Sequence, residues 1–289
     1  NVFNIAFMVL LMIVTLYPCW YVIVASFSNP VELYNGSTLL LWPRGFSTEA
    51  YGIILEHTML WRSYGNTLIY VSASTILGLA LSIAGAFVFT RSYLPGNRFM
   101  LSLVTVTMFF GGGLIPSYIL NRNLGLVNSR WIMILGMGIG YSNLIITRTY
   151  FQTSIPNELF ESAYIDGATE WQTFLKIALP LSGAIIAVMA LYAAVGTWGS
   201  WYTAFIYITD QKKWPLQLRL RQILILNQTQ SLDYGMMSQE EIEMLQHQAF
   251  MVYTMKYAII FIACAPMLVL YPFVQKYFVK GVMIGSLKG

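Results

Sequence analysis

Side chains able to do chemistry are scarce in this sequence, and the patterned ones fall in one stretch, residues 161–180, between two long apolar runs. That stretch holds Glu161, Asp166 and Glu170 with Lys176. Neither there nor elsewhere does a nucleophile stand with a base partner, so no catalytic residue is expected. His57 and His247 stand alone in expected loops, and Cys19 and Cys264 sit in apolar runs far from metal-ligand spacing. No Gly-x-x-x-x-Gly-Lys-Ser/Thr loop occurs, so the chain is not expected to cradle nucleotide phosphates. What remains for the polar stretch is binding and mechanics.

The elements that position these groups are two short helices. Pro156 and Glu158 suit a first helical turn, where a missing N–H costs little and negative charge is favoured. Phe160, Ala163 and Tyr164 then share a face. Gly167 follows, and a glycine just past a helix end takes the left-handed conformation most cheaply. Thr169 with Gln172 has the spacing of a capping box that opens a second helix. Trp171, Phe174, Leu175 and Ala178 form that helix's apolar stripe, and Pro180 is expected to stop it. On pattern alone, such an amphipathic pair could also lie flat in a membrane interface.

Around this stretch the chain is built for lipid. Of its 289 residues 57% are hydrophobic and 10% charged, with mean hydropathy +0.63, whereas a soluble domain carries roughly 25% charged residues. Six apolar runs, near residues 4–27, 66–90, 99–120, 131–152, 182–208 and 252–275, each approach the ~20 residues a membrane span needs. The expected fold is all-α, one transmembrane domain over residues 1–289 with about six helices. The first run is read as a retained span. Loops of unequal size separate the runs, the longest polar insertion being residues 209–251. The net charge of +4 is spread out and gives no case for nucleic acid.

The expected spans hold almost no ionisable residues, which argues against a proton-driven carrier and suits a pore-lining subunit energised by another protein. Glycines recur in them, at Gly111-Gly112-Gly113, at Gly136, Gly138 and Gly140, and at Gly196 and Gly199. Close helix packing explains such residues. A second reading has residues 196–202 line a solute path. Trp198 and Trp201 would offer faces to sugar rings there, and Ser200 and Tyr202 would offer hydroxyls.

Glu161-x-Ala163, then Asp166-Gly167-Ala168, then Ile177-x-Leu179-Pro180 resembles the EAA loop of bacterial ABC importer permeases, with Ser162 where that family usually has a second alanine. Six spans, a long first external loop and the ending Gln275-Lys276-Tyr277-Phe278-Val279-Lys280-Gly281-Val282 to Lys288-Gly289 resemble the MalG type of carbohydrate importer permease, with the type I fold. The resemblance implies a multi-pass subunit of the bacterial cytoplasmic (inner) membrane that is not itself an enzyme. Its partners would be a second, different permease, two ATPase subunits holding ATP and Mg, and an extracytoplasmic solute-binding protein. Residues 153–181 would form a cytoplasmic ATPase-coupling loop carrying Glu161, Ala163, Asp166, Gly167, Ala168, Ile177, Leu179 and Pro180, with Glu161, Asp166 and Gly167 near the contact. Residues 209–251 would face outward and the tail, 276–289, inward. Orientation rests on this motif, because Lys and Arg are no fewer on the other side. The insertion resembles that of permeases for complex oligosaccharides, alginate oligosaccharide importers among them. A same-family permease for a non-sugar solute, and a six-span membrane enzyme or assembly factor, are the alternatives.

Overall fold

The computed structural model describes residues 2–37, 39–138, 140–228 and 250–269, together with Pro272. Most of the 209–251 insertion after residue 228, with its acidic run Glu240, Glu241 and Glu243, and the C-terminal tail lie outside the described residues. Among those described, helices account for the architecture, with one isolated bridge between Ser28 and Phe46.

The chain opens with α1 (Val2–Ser26), followed by the short α2 (Pro30–Asn35) and α3 (Glu49–Leu55). Asn29-Pro30, which has the look of a turn, starts α2 instead: the Asn29 side chain accepts from the Val31 and Glu32 N–H groups and Pro30 supplies a first residue with no N–H to satisfy. Next comes α4 (Thr58–Thr90), whose 33 residues reach about 50 Å at 1.5 Å per residue, well beyond the hydrocarbon thickness of roughly 30 Å. Polar Arg62, Ser63 and Asn66 hide its first turns from a reading based on hydrophobicity.

Three of the expected runs are broken. Residues 99–120 divide into α5 (Asn97–Phe109) and α6 (Leu114–Asn123), bent by 119°. The break falls on the three glycines, with Gly113 at φ +81°, a conformation that costs residues with a Cβ but not glycine. Residues 131–152 divide into α7 (Trp131–Gly138) and α8 (Tyr141–Ser154). After α9 (Asn157–Ile165), helix α10 (Glu170–Leu181) meets α11 (Gly183–Trp198) at 78°. Then follow α12 (Trp201–Tyr207), α13 (Leu216–Gln228) and α14 (Phe250–Val269). Among the described residues three helices, α1, α4 and α14, are long and apolar enough to cross a membrane, and five spans result if each bent pair counts as one.

Pro180 does not stop its helix. The turn Phe174–Ala178 widens to a π-helix, with the Leu179 N–H reaching the Phe174 carbonyl, and the chain runs through Pro180 to Leu181. A proline inside an α-helix lacks one hydrogen bond and crowds the carbonyl four residues back, and a π turn just ahead of it gives the ring room.

Two compact units emerge. One joins residues 1–64 with 216–268, and its core is Val24, Ala25, Leu33, Leu40 and Tyr257. Phe27 stacks there on Tyr51 at 4.9 Å between ring centroids, and Tyr21 meets Tyr257 edge-on at 5.6 Å. The other centres on residues 65–215, where α7 packs on α11 and α12, and α8 on α5 and α11. Within that unit the start of the 209–251 insertion is pinned to α4. The Asn66 amide donates to the Lys212 and Trp214 carbonyls, the Tyr70 hydroxyl donates to Lys213 O at 2.7 Å, and Lys213 Nζ donates to Asn128 O at 2.8 Å.

Candidate functional site

The polar stretch folds as the two short helices α9 and α10, and their join is fixed by hydrogen bonds that side chains and backbone supply locally. Gly167 stands at φ +79°. Its N–H donates to Tyr164 O and that of Ala168 to Ala163 O, the paired bonds of a Schellman ending. Thr169 then opens α10 with a complete capping box: Gln172 N–H donates to the threonine hydroxyl and Thr169 N–H to the Gln172 side chain. Four donors and acceptors that two helix ends would leave orphaned are thus satisfied within a few residues.

The inner face of this pair is built into the ends of α4 and α8. Ile83, Ala86 and Phe87 of α4, Phe151 of α8, Ile155 after it, Phe160 of α9, and Phe174 and Ala178 of α10 form one buried cluster. Phe87 sits at its centre, with ring centroids 5.1 Å from Phe174, 6.2 Å from Phe151 and 6.3 Å from Phe160. A further tether holds the bend after α10, where the Tyr150 hydroxyl donates to Leu181 O at 3.2 Å.

A charged clasp closes the open side of the cluster. Arg91, one residue past α4, lies over the rings of Phe87 (4.2 Å) and Phe160 (4.6 Å). Its Nε is 3.2 Å from a carboxylate oxygen of Glu170, with side-chain exposures of 11% and 45%. The other Glu170 oxygen accepts from the Tyr164 hydroxyl at 2.8 Å and from that of Tyr93. Burial, then the bond to this carboxylate, pushes the Tyr164 hydroxyl up to about 12. The hydrogen bond to Glu170, then burial, raises that of Tyr93. Both phenols therefore stay protonated donors at neutral pH. One carboxylate holds α4, α9 and α10 together.

Among the described residues nothing covers the outer face. Ile165 is 87% and Trp171 65% exposed, with Glu161, Asp166, Gly167 and Leu175 also exposed. The expected stripe on α10 is thereby split: Phe174 and Ala178 are buried in the cluster, while Leu175 and Trp171 are exposed, the Trp171 ring lying 5.7 Å from that of Phe174. Of the other residues expected here, Ala163 is buried in α9, Ala168, Ile177 and Leu179 are half-buried, and Pro180 is exposed. Sequence reasoning missed Arg91, Tyr93 and Glu170 as a group.

The residues considered for a solute path lie together around the α11–α12 break. Trp198 is 5% exposed and Ser200 is buried, its hydroxyl donating to Thr197 O at 2.7 Å. Tyr202 is 51% exposed and meets Trp201 edge-on at 5.5 Å.

The amphipathic helix pair packed against the ends of membrane helices fits a transport permease, and residues 4–284 match the model of the family described as binding-protein-dependent transport system inner membrane component. The chain belongs to that family: it is an inner-membrane subunit of an importer that works with a binding protein. It is 38% identical to Protein LplC of Bacillus subtilis (strain 168), over all of this chain and 95% of that one. It is 36% identical to the polygalacturonan/rhamnogalacturonan transport system permease protein YtcP of the same organism, over 98% of this chain and 96% of that one. Its fold matches a chain from the crystal structure of a bacterial ABC transporter involved in the import of the acidic polysaccharide alginate. That match has a TM-score of 0.84 and 28% identity, over 96% of this chain and 95% of that one. The type I importer permease fold expected from the central motif is therefore the fold found.

Proposed function

We propose that this chain is one of two different permeases enclosing a path for acidic oligosaccharides, and that α9–α10 is the element an ATPase subunit grips from the cytoplasm. The observation that carries the reading is the asymmetry of the helix pair. Its inner face is locked to α4 and α8 by the aromatic cluster, while its outer face projects Ile165, Trp171 and the carboxylates of Glu161 and Asp166, left exposed by the described residues. A projecting apolar knob on a rigid base suits insertion into a cleft of a moving partner. Two such partners would hold the ATP and Mg. The cargo class is supported by the relatives, since alginate and polygalacturonan are both polymers of uronic acids. In a Cys19- and Cys264-free background, a cysteine at Asp166 is expected to cross-link to an ATPase subunit in assembled importer. Repeated recovery of the chain without that adduct, or labelling of the site from outside the cell, counts against the reading.

For the path itself, Trp198, Ser200, Trp201 and Tyr202 remain the residues proposed. Replacing Trp198 and Trp201 together by alanine is expected to raise the uptake KM for a uronate oligosaccharide by about ten-fold or more, given ~1–3 kcal/mol for well-placed contacts. Unchanged uptake kinetics would remove them from the path.

A further inference from the structure

The Arg91–Glu170 clasp goes beyond anything the central motif or the relatives assign, and it deepens the proposed coupling role on which it rests. We propose that Arg91 and Glu170 are positioning residues that make α4 and the coupling helices one rigid body, so that a displacement of α9–α10 becomes a displacement of the membrane helix.

The geometry supports this on three counts. First, the contacts join parts of the chain that nothing local brings together. Arg91 and Tyr93 follow α4, Phe160 and Tyr164 belong to α9, Glu170 opens α10, and 77 residues separate Tyr93 from Glu170. Second, the contacts are directional. The aromatic cluster beneath is held by apolar packing, whereas an ion pair with two phenol donors on one carboxylate adds hydrogen bonds of fixed geometry. Third, the clasp supplies the charge that Arg91 faces among the described residues. Nε and Nη2 of Arg91 are buried without a hydrogen-bond acceptor, so the Glu170 carboxylate at 3.2 Å is the compensating charge. Removing it leaves a guanidinium held only by rings. A helix pair tied by the aromatic cluster alone would still dock but would yield under load.

The consequence is uncoupling rather than loss of assembly. The full importer, reconstituted in proteoliposomes with its binding protein, gives two readouts, ATP hydrolysis and oligosaccharide uptake, and their ratio reports coupling. R91M and E170Q are each expected to lower uptake per ATP by about five-fold or more, the low end of ordinary inter-site coupling, while hydrolysis persists. R91K is expected to recover most of the R91M loss, and the R91M/E170Q double variant to be no worse than the poorer single one, as for two halves of one contact. Should R91M fail to assemble, E170Q alone decides the matter, because it alters one atom of a half-exposed side chain. A wild-type ratio in E170Q with the Asp166 cross-link intact overturns the clasp and leaves the coupling role standing. Absence of that cross-link in the otherwise wild-type importer overturns the coupling role itself.

Discussion

Replacement of Phe87 by alanine is expected to detach the coupling helices from α4 and to abolish most transport. Phe87 is 6% exposed and its ring meets α8, α9 and α10 together, through Phe151, Phe160 and Phe174. It also carries the Arg91 guanidinium at 4.2 Å. Emptying a buried phenylalanine site costs about 3–5 kcal/mol. A membrane bundle does not need this cluster to keep its spans in lipid, so the loss falls on the docking of α9–α10, a local opening rather than global unfolding. At 1.4 kcal/mol per factor of ten, 3 kcal/mol reduces the docked population relative to the opened one by about 100-fold. Trypsin cleavage at the exposed Lys176 should rise in parallel with the loss of uptake, while the amount of chain in the membrane stays near normal. Phe87→Leu, which keeps part of the side-chain volume, should lie between. If Phe87→Ala leaves both cleavage and uptake at wild-type values, the aromatic cluster is not what holds the loop.

Local signals made much of this site legible in the sequence. The capping box at Thr169 and Gln172 and the left-handed Gly167 each depend on neighbours within a turn or so of chain, and each is found as read; of the face expected from Phe160, Ala163 and Tyr164, the first two are buried and the tyrosine is exposed. The clasp was not legible, because an arginine at a span end and a glutamate in a capping turn look alike whether they meet or face solvent. Periodicity also could not say which half of the α10 stripe would be covered: Trp171 and Phe174 fit the same helical face, yet the phenylalanine is buried and the tryptophan left outside. In the membrane portion, hydrophobic runs located the spans but not their breaks. Glycines at 111–113 permit a straight helix as well as the 119° bend found, so composition alone does not choose between the two. Pro180 shows the converse. A strong local stop signal was overridden by a π turn that the surrounding contacts stabilise.

Substitution of valine for Gly167 is expected to cut transport several-fold or more while leaving assembly of the chain intact. Space is not the issue, since a Cβ added at Gly167 meets nothing within 4 Å. The issue is φ +79°, where a β-branched residue costs of the order of 1–3 kcal/mol. The turn has two ways to respond. It can hold its shape at that cost, or it can relax toward negative φ and give up the bonds from Gly167 to Tyr164 O and from Ala168 to Ala163 O. Relaxation re-aims α10 against α9 and pulls Glu170 from Arg91, so a change confined to one exposed turn reaches the membrane helix through the clasp. Asparagine tolerates the left-handed region far better than valine, so Gly167→Asn should keep most activity, and that contrast isolates backbone conformation from the mere addition of a side chain. Equal uptake by the valine and asparagine variants, at wild-type rate per ATP, would show that the angle between the two short helices does not transmit force.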